Sequence, residues 1–312
     1  MDSPPRRKFS IILNRESGTL RRLGVESVEA DLRQVLEGLG CEVEFHTVTG
    51  KELKATLEKA RDGTADAVVV GGGDGTVAAA ANAFARHAKP LGLLPLGTFN
   101  LAARDVGMPL DLKEAAAALV TAPVTETDLL DVAGELYLCM VVMGFYPALA
   151  MAKEEYHGSW IVKSIRTFWT ALSSVATFPP LYLCLQEGEQ VLRYRTRIAL
   201  MANNDYEDLF GIIPKRRSLN AGYFTVYVST HSSQVGLMRS FFAWVQGRWK
   251  QDKELQSIHA TDLEVRVTRK RRVPVMMDGE IKKIAVPFRI KLVPKALRVI
   301  APRLLTETSA EE

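Results

Sequence analysis

Along the first hundred residues short apolar blocks alternate with amphipathic stretches, and each kind keeps its own period. Phe9 to Leu13 is a continuous apolar run that stops at a polar loop, Asn14-Arg15-Glu16-Ser17-Gly18-Thr19, and it reads as a first strand. Val25, Val28, Leu32, Val35, Leu36 and Leu39 then recur at helical spacing, closed by Gly40. Cys41 to Val48 sets Val43, Phe45 and Val48 against Glu42, Glu44 and Thr47, the alternation of a second strand. Lys51 to Arg61 predicts a helix and Ala67 to Val70 a strand covered on both faces. Val77 to Ala88 predicts a further helix with Thr76 as its N-cap, and Leu91 to Leu94 a fourth strand. Strand and helix in regular alternation imply a parallel sheet with right-handed crossovers, whose ligands bind at the carboxyl ends of the strands.

From about Thr125 the pattern lengthens into strand-like segments in succession: Asp128 to Val132, Glu135 to Met143, Leu181 to Gln186, Arg195 to Met201, Gly222 to Ser229, Leu263 to Thr268 and Val273 to Met277. Two helical stretches lie among them, Trp160 to Thr177 and Gln234 to Arg248, with Trp160, Phe168, Trp169, Phe241, Phe242 and Trp244 near Lys163, Arg166, Arg239 and Arg248. Such an aromatic stripe packs in a core or rests on a membrane interface or an acyl chain. Leu136 to Ala152 carries no charge for 17 residues, but Gly144, Tyr146 and Pro147 interrupt it and its flanks are acidic, so a buried strand and a turn are expected rather than a membrane span. The expected fold class is therefore α/β in two domains. A doubly wound α/β nucleotide domain covers residues 1–125, an antiparallel β-rich domain covers 126–294, and the active site lies in the cleft between them.

The stretch Ala67-Val-Val-Val-Gly-Gly-Gly-Asp-Gly-Thr76 joins a buried strand to a helix through four glycines in five residues. Glycines allow the backbone N–H groups to approach a ligand closely, and the helix N-terminus beyond them favours an anion. Asp74 fits an anion site only if a cation such as Mg²⁺ sits between. Neither the Walker loop nor the dinucleotide fingerprint matches this spacing, and an ordinary tight βα turn is the competing reading. A second polar loop, Pro95-Leu96-Gly97-Thr98-Phe99-Asn100, ends the fourth strand at the same edge. Thr98 and Asn100 there either bond a nucleotide or head group, or cap a helix.

Composition then narrows the setting. The chain of 312 residues is 47% hydrophobic, enough for sizeable cores in two domains. A net charge of +4 is too mild to argue for nucleic acid. Lys215-Arg216-Arg217 and Arg269-Lys270-Arg271-Arg272 are local basic clusters, read as solvated faces or as contacts with an anionic membrane surface. Cys41, Cys139 and Cys184 are widely spaced in apolar surroundings, which suits reduced core residues and a cytoplasmic location. Phe9 to Leu13 is too short for a signal-peptide core. The oligomeric state is left open, a homodimer included.

Three blocks together resemble the diacylglycerol kinase and sphingosine kinase catalytic family, in particular its single-chain bacterial lipid kinases. They are Gly71-Gly72-Gly73-Asp74-Gly75-Thr76, then Pro95 to Asn100 with Ala103-Arg104 and Gly107-Met108-Pro109, and Asp278-Gly279-Glu280 after Val275-Met276-Met277. Leu297 to Pro302 resembles the family's closing segment, which implies that the chain returns to the first domain near 295–306. The resemblance implies ATP and Mg²⁺ as cofactors and a lipid, diacylglycerol or a related one, as substrate, with transient contact at a membrane surface. Gly72, Gly73, Gly75, Thr76, Thr98 and Thr47, with Asn14 and Asn100, would bind the nucleotide. Asp74 would serve the metal and the chemistry, and Glu280 helped by Asp278 would be the catalytic base. A plain hairpin turn is the other reading of Asp-Gly. An NAD-kinase-like soluble kinase and an inactive lipid-binding protein are the alternatives in function. The first loop departs from the family's Asn-Pro-x-Ser/Ala-Gly at Arg15 and Glu16, which puts a negative charge near the expected phosphates. Leu219-Asn220-Ala221-Gly222 stands where many bacterial members have Leu-x-Asp-Gly, and Ala221 cannot bind a cation.

Overall fold

The computed structural model describes residues 7–98, 100–145, 147, 178–207 and 216–302, so the helix expected from Trp160 to Thr177 lies outside the described residues, as do Phe99, Tyr146 and Lys215. Its first part runs β1 (Lys8–Asn14), α1 (Gly18–Leu23), α2 (Val25–Gly38), β2 (Glu42–Val48), α3 (Gly50–Asp62), β3 (Ala67–Gly72), α4 (Asp74–Phe84), β4 (Leu91–Pro95), α5 (Leu101–Asp105) and α6 (Leu112–Thr121). β1, β2, β3 and β4 pair in parallel in the order β2-β1-β3-β4. Every residue of β3 and β4 is buried, as their unbroken apolar runs require, whereas the edge strand β2 alternates. α2 buries Val28, Leu32 and Leu36, one turn apart. α3 starts with a capping box between Thr49 and Glu52.

Three features of this half differ from expectation. The polar loop after β1 closes into the short helix α1 from Gly18. α4 begins at Asp74 with Gly73 as N-cap, so Thr76 is not the cap but lies inside the first turn, buried. α4 also stops at Phe84 rather than Ala88, because Arg86 turns to φ 61° and donates its N–H to the Ala296 carbonyl.

The second part is β5 (Val124–Val132), β6 (Glu135–Tyr137), β7 (Met140–Gly144), β8 (Leu181–Glu187), β9 (Gln190–Thr196), β10 (Ile198–Asn203), β11 (Phe224–Ser229), α7 (Gln234–Val245), β12 (Leu255–Ala260), β13 (Asp262–Val267), β14 (Arg272–Met277), β15 (Glu280–Ala285) and β16 (Phe288–Ile300). Among the described residues a six-stranded antiparallel sheet has the order β12-β11-β10-β7-β14-β15. It faces the antiparallel half of the larger sheet, β16-β13-β8-β9, and Leu183, Leu185, Val265 and Ile290 from one side meet Val141, Met201, Val226 and Val275 from the other.

β16 joins the two halves. It pairs antiparallel with β13 and β5, shifts register between Val293 and Leu297, and ends parallel to β4 at Val299 and Leu91. The single strand expected from Glu135 to Met143 is split in two, because the N–H groups of Leu138, Cys139 and Met140 all turn to the Asp278 carboxylate. Arg195 to Met201 is not one strand either; β9 ends at Thr196, whose hydroxyl bonds the Ile198 and Ser229 carbonyls and opens β10. No described helix is long and apolar enough to cross a membrane.

Candidate active site

The carboxyl ends of β1, β3 and β4 carry three loops that brace one another. From the first loop, Asn14 donates its amide N–H to the Thr76 hydroxyl at 2.9 Å and accepts the Glu16 N–H at 3.0 Å. The Thr47 hydroxyl bonds Glu29 at 2.6 Å, and its carbonyl accepts from Arg15. Thr47 is thus engaged with α2 rather than turned to the glycines. Glu16 does not crowd the glycine loop, since its carboxylate accepts the Gly50 N–H at 2.8 Å, where the α3 N-terminus favours negative charge.

Asp74 is the first residue of α4, and one carboxylate oxygen accepts the Leu101 N–H, the first of α5, at 3.0 Å. That bond clamps the second loop to the first. Burial pushes the Asp74 carboxyl above its ordinary range, and the Leu101 N–H opposes the shift. Gly97 packs so closely on Gly73 that a Cβ would lie 2.8 Å from the Gly73 Cα, so the two loops touch backbone to backbone. Asn100, at φ 53°, accepts the Gly97 N–H at 2.7 Å and donates to the Pro95 carbonyl at 3.3 Å. Its amide therefore closes its own loop instead of facing a ligand, while Thr98 is exposed at the loop tip.

The Asp278-Gly279-Glu280 turn reaches these loops from β14 and β15. Its two carboxylates part company. Asp278, 4% exposed, accepts N–H groups from Leu138 at 2.6 Å, Cys139 at 2.9 Å and Met140 at 2.8 Å. Burial pushes its carboxyl up to about 6, against the pull of those N–H groups and of the Arg216 charge. Glu280 stays 49% exposed in its side chain, with one oxygen 3.8 Å from the Lys282 ammonium. Its other oxygen rests on Gly75, where any Cβ would collide with it, and Gly279 lies against Asp74. The glycine loop, Asp74 and Glu280 are thus brought to one place.

Behind the turn, Arg216 is completely buried with its Nε 2.7 Å from Asp105 at the end of α5. Arg216 is therefore no part of a solvated or membrane-facing basic cluster. Asp128, equally buried, accepts the Gly222 and Lys295 N–H groups at 2.9 and 2.8 Å and the Asn204 amide at 3.1 Å. Sequence reasoning had no signal for Asp105 or Arg216 as partners, because 111 residues separate them. Among the described residues no three His, Cys, Asp or Glu side chains gather around one point. A cation at Asp74 fits the pattern of Mg²⁺, which takes one or two carboxylates and completes its shell with phosphates and water.

The comparisons with known proteins agree with this geometry. The family described as "Diacylglycerol kinase catalytic domain" matches residues 8–132, and "YegS C-terminal NAD kinase beta sandwich-like domain" matches residues 141–301. The chain belongs to the diacylglycerol kinase family of bacterial lipid kinases. It is 27% identical over 245 residues to a diacylglycerol kinase of Mycobacterium tuberculosis, covering 76% of this chain and 77% of that one. Over 80 residues, 25% of this chain and 26% of the relative, it is 45% identical to a protein of Pseudomonas syringae pv. tomato named "Probable lipid kinase YegS-like". The crystal structure of a diacylglycerol kinase from Bacillus anthracis str. Sterne superposes with a TM-score of 0.70 at 16% identity, covering 96% of this chain and 98% of that one, a likeness of fold.

Proposed function

We propose that the protein is an ATP-dependent kinase that transfers the γ-phosphoryl group to the hydroxyl of diacylglycerol or a related lipid. The observation that carries the reading is the contact of Glu280, from the second half of the chain, with Gly75 of the glycine loop beside Asp74. Backbone N–H groups of the glycine loop at the α4 N-terminus hold the phosphates, the Thr76 N–H excepted because it is given to the Gly73 carbonyl. Asp74 would hold Mg²⁺, which when bound would supply charge neutralisation on the transferred group. Glu280 accepts the proton of the lipid hydroxyl as its oxygen bonds to the γ-phosphorus and the bond to the β–γ bridging oxygen breaks, releasing ADP. Asp278 does not face the acceptor in this reading; it fixes the turn that carries Glu280. Catalysis takes place in the cytoplasm, with the enzyme in peripheral contact with the membrane that holds its substrate.

The match of the second half to an NAD kinase-like sandwich favours one competing reading, an NAD kinase. ATP turnover is to be measured with diacylglycerol, monoacylglycerol, phosphatidylglycerol, a sphingoid base, a ceramide and NAD as acceptors. ADP release with diacylglycerol or a close relative, and none with NAD, is expected. Phosphorylation of NAD without any lipid product would overturn the proposal.

A further inference from the structure

The antiparallel half of the large sheet buries one face in the sandwich and leaves the other to solvent. On β9, Val191, Arg193 and Arg195 are exposed, on β8 Tyr182 points outward, and on β13 Arg266 does. The register sets Arg195 opposite Tyr182, Arg193 opposite Cys184, and Cys184 opposite Arg266. The β13–β14 turn adds Arg269, Lys270 and Arg271, and Arg272 opens β14, all exposed.

Charge is divided unevenly along this face. Toward one end Arg266 pairs with Glu264, and Arg289 and Lys291 pair with Asp262. Toward the other, among the described residues, no carboxylate lies within ion-pair reach of Arg193, Arg195, Arg269, Lys270, Arg271 or Arg272. A shallow depression of about 500 Å³ opens between Arg193, Arg266, Lys270, Cys184 and Thr268. Tyr182, 55% exposed, is the apolar member of this end, whereas Val191 lies across Gln186 from Glu264, at the ion-paired end.

We propose that this basic end of the sheet docks the protein on an anionic bilayer, with its cations on the lipid phosphates and Tyr182 in the headgroup layer. The inference rests on the lipid-kinase reading, since a lipid acceptor resides in a bilayer. Each cation near a negative leaflet adds electrostatic attraction, and an amphipathic ring settles at the headgroup depth. β14 runs six residues from the basic turn to the Asp278 turn, about 20 Å. Docking and chemistry therefore occupy different places. The bland reading, charges that keep the edge strand β9 from pairing with other chains, asks for no lipid at all.

The test is sedimentation of the full chain with vesicles of phosphatidylcholine alone or with 30% phosphatidylglycerol, a mole fraction of about one third chosen to carry a strong negative surface potential, at low and high salt and without ATP. The triple variant Arg193→Glu, Arg195→Glu, Lys270→Glu is compared with a control of equal charge on the other half of the molecule, Arg22→Glu, Lys54→Glu, Lys59→Glu. Expected is salt-sensitive binding of the wild type to anionic vesicles, reduced at least about 10-fold in the patch variant and much less in the control. Equal loss in both variants, unchanged binding of the patch variant, or wild-type retention by a mixed-sequence RNA duplex in place of vesicles overturns the proposal. Turnover of a short-chain diacylglycerol in detergent is expected to be unchanged in the patch variant; its loss there would assign these residues to the chemistry and likewise overturn the docking role. Vesicle binding is read without turnover, so failure of the kinase reading and failure of the docking surface give different results.

Discussion

On the floor of the cleft Asp105, Asp128 and Asp278 are buried, and Arg216 or a set of backbone and amide N–H groups fills the acceptor positions of each. On the rim, among the described residues, Asp74 accepts a single N–H group, and Glu280 rests on a glycine with Lys282 at 3.8 Å. The floor commits its charges to the fold, Asp105 tying the first half of the chain to Arg216 of the second, and Asp128 and Asp278 bracing loops and strands within the second. The rim keeps oxygens in reserve for a cation, a phosphate or a proton. A carboxylate already saturated by the protein has little left to offer a ligand, so under the proposed function the first set is structural and the second carries the chemistry.

The largest expected effect falls on the floor. Arg216→Ala leaves Asp105 as an uncompensated buried charge and is expected to lower stability by about 3–5 kcal/mol, measured by urea denaturation. Joint replacement, Arg216→Met with Asp105→Leu, is expected to recover most of that loss. If the single variant were as stable as the wild type, the floor would not be the structural region. On the rim, Glu280→Gln is expected to reduce kcat by roughly 10²-fold or more with a denaturation midpoint close to that of the wild type. Near-normal kcat there, with a collapse in Asp278→Asn, would exchange the two roles.

The smallest effect concerns Asp278. Asp278→Asn turns an amide N–H toward the Leu138 N–H and is expected to cost about 1–3 kcal/mol. With the folded carboxyl raised to about 6 from 3.8, the native state binds the extra proton, so this group's contribution is complete below about pH 4 and is lost as pH rises through about 6. Denaturation midpoints between pH 4 and 7 should show that decline in the wild type and lack its share in Asp278→Asn. Parallel pH curves would remove Asp278 from the ledger of the floor.

The parallel half was legible because its signals are local. An apolar run such as Val68 to Val70 has little choice but a buried strand, and the glycine block marks the strand end that faces Glu280. What remained hidden depends on distant partners. Arg216 reads as one more basic residue until α5 brings Asp105 to it. Glu135 to Met143 reads as one strand until Asp278 draws three N–H groups out of the ladder. Asn100 has the chemistry of a ligand-binding residue, yet a left-handed backbone turns its amide into its own loop. Asp278 and Glu280 are two positions apart in a motif, and only the turn separates the buried one from the exposed one.

The long strand β16 also dictates an order of assembly during synthesis. Arg298 and Ala301 fasten it to the Ala88 and Pro123 carbonyls, and Val299 covers the β4 edge at Leu91. A ribosome makes β4 about two hundred residues before its neighbour, roughly 10–40 s at ordinary elongation rates. During that interval the nascent parallel sheet presents an apolar, unpaired edge, the kind of surface that recruits chaperones or other chains. The strand that completes the parallel sheet is thus the last of the described strands to emerge, and the turn from Asp278 to Glu280 is already made when the sheet beneath the glycine loop finally closes.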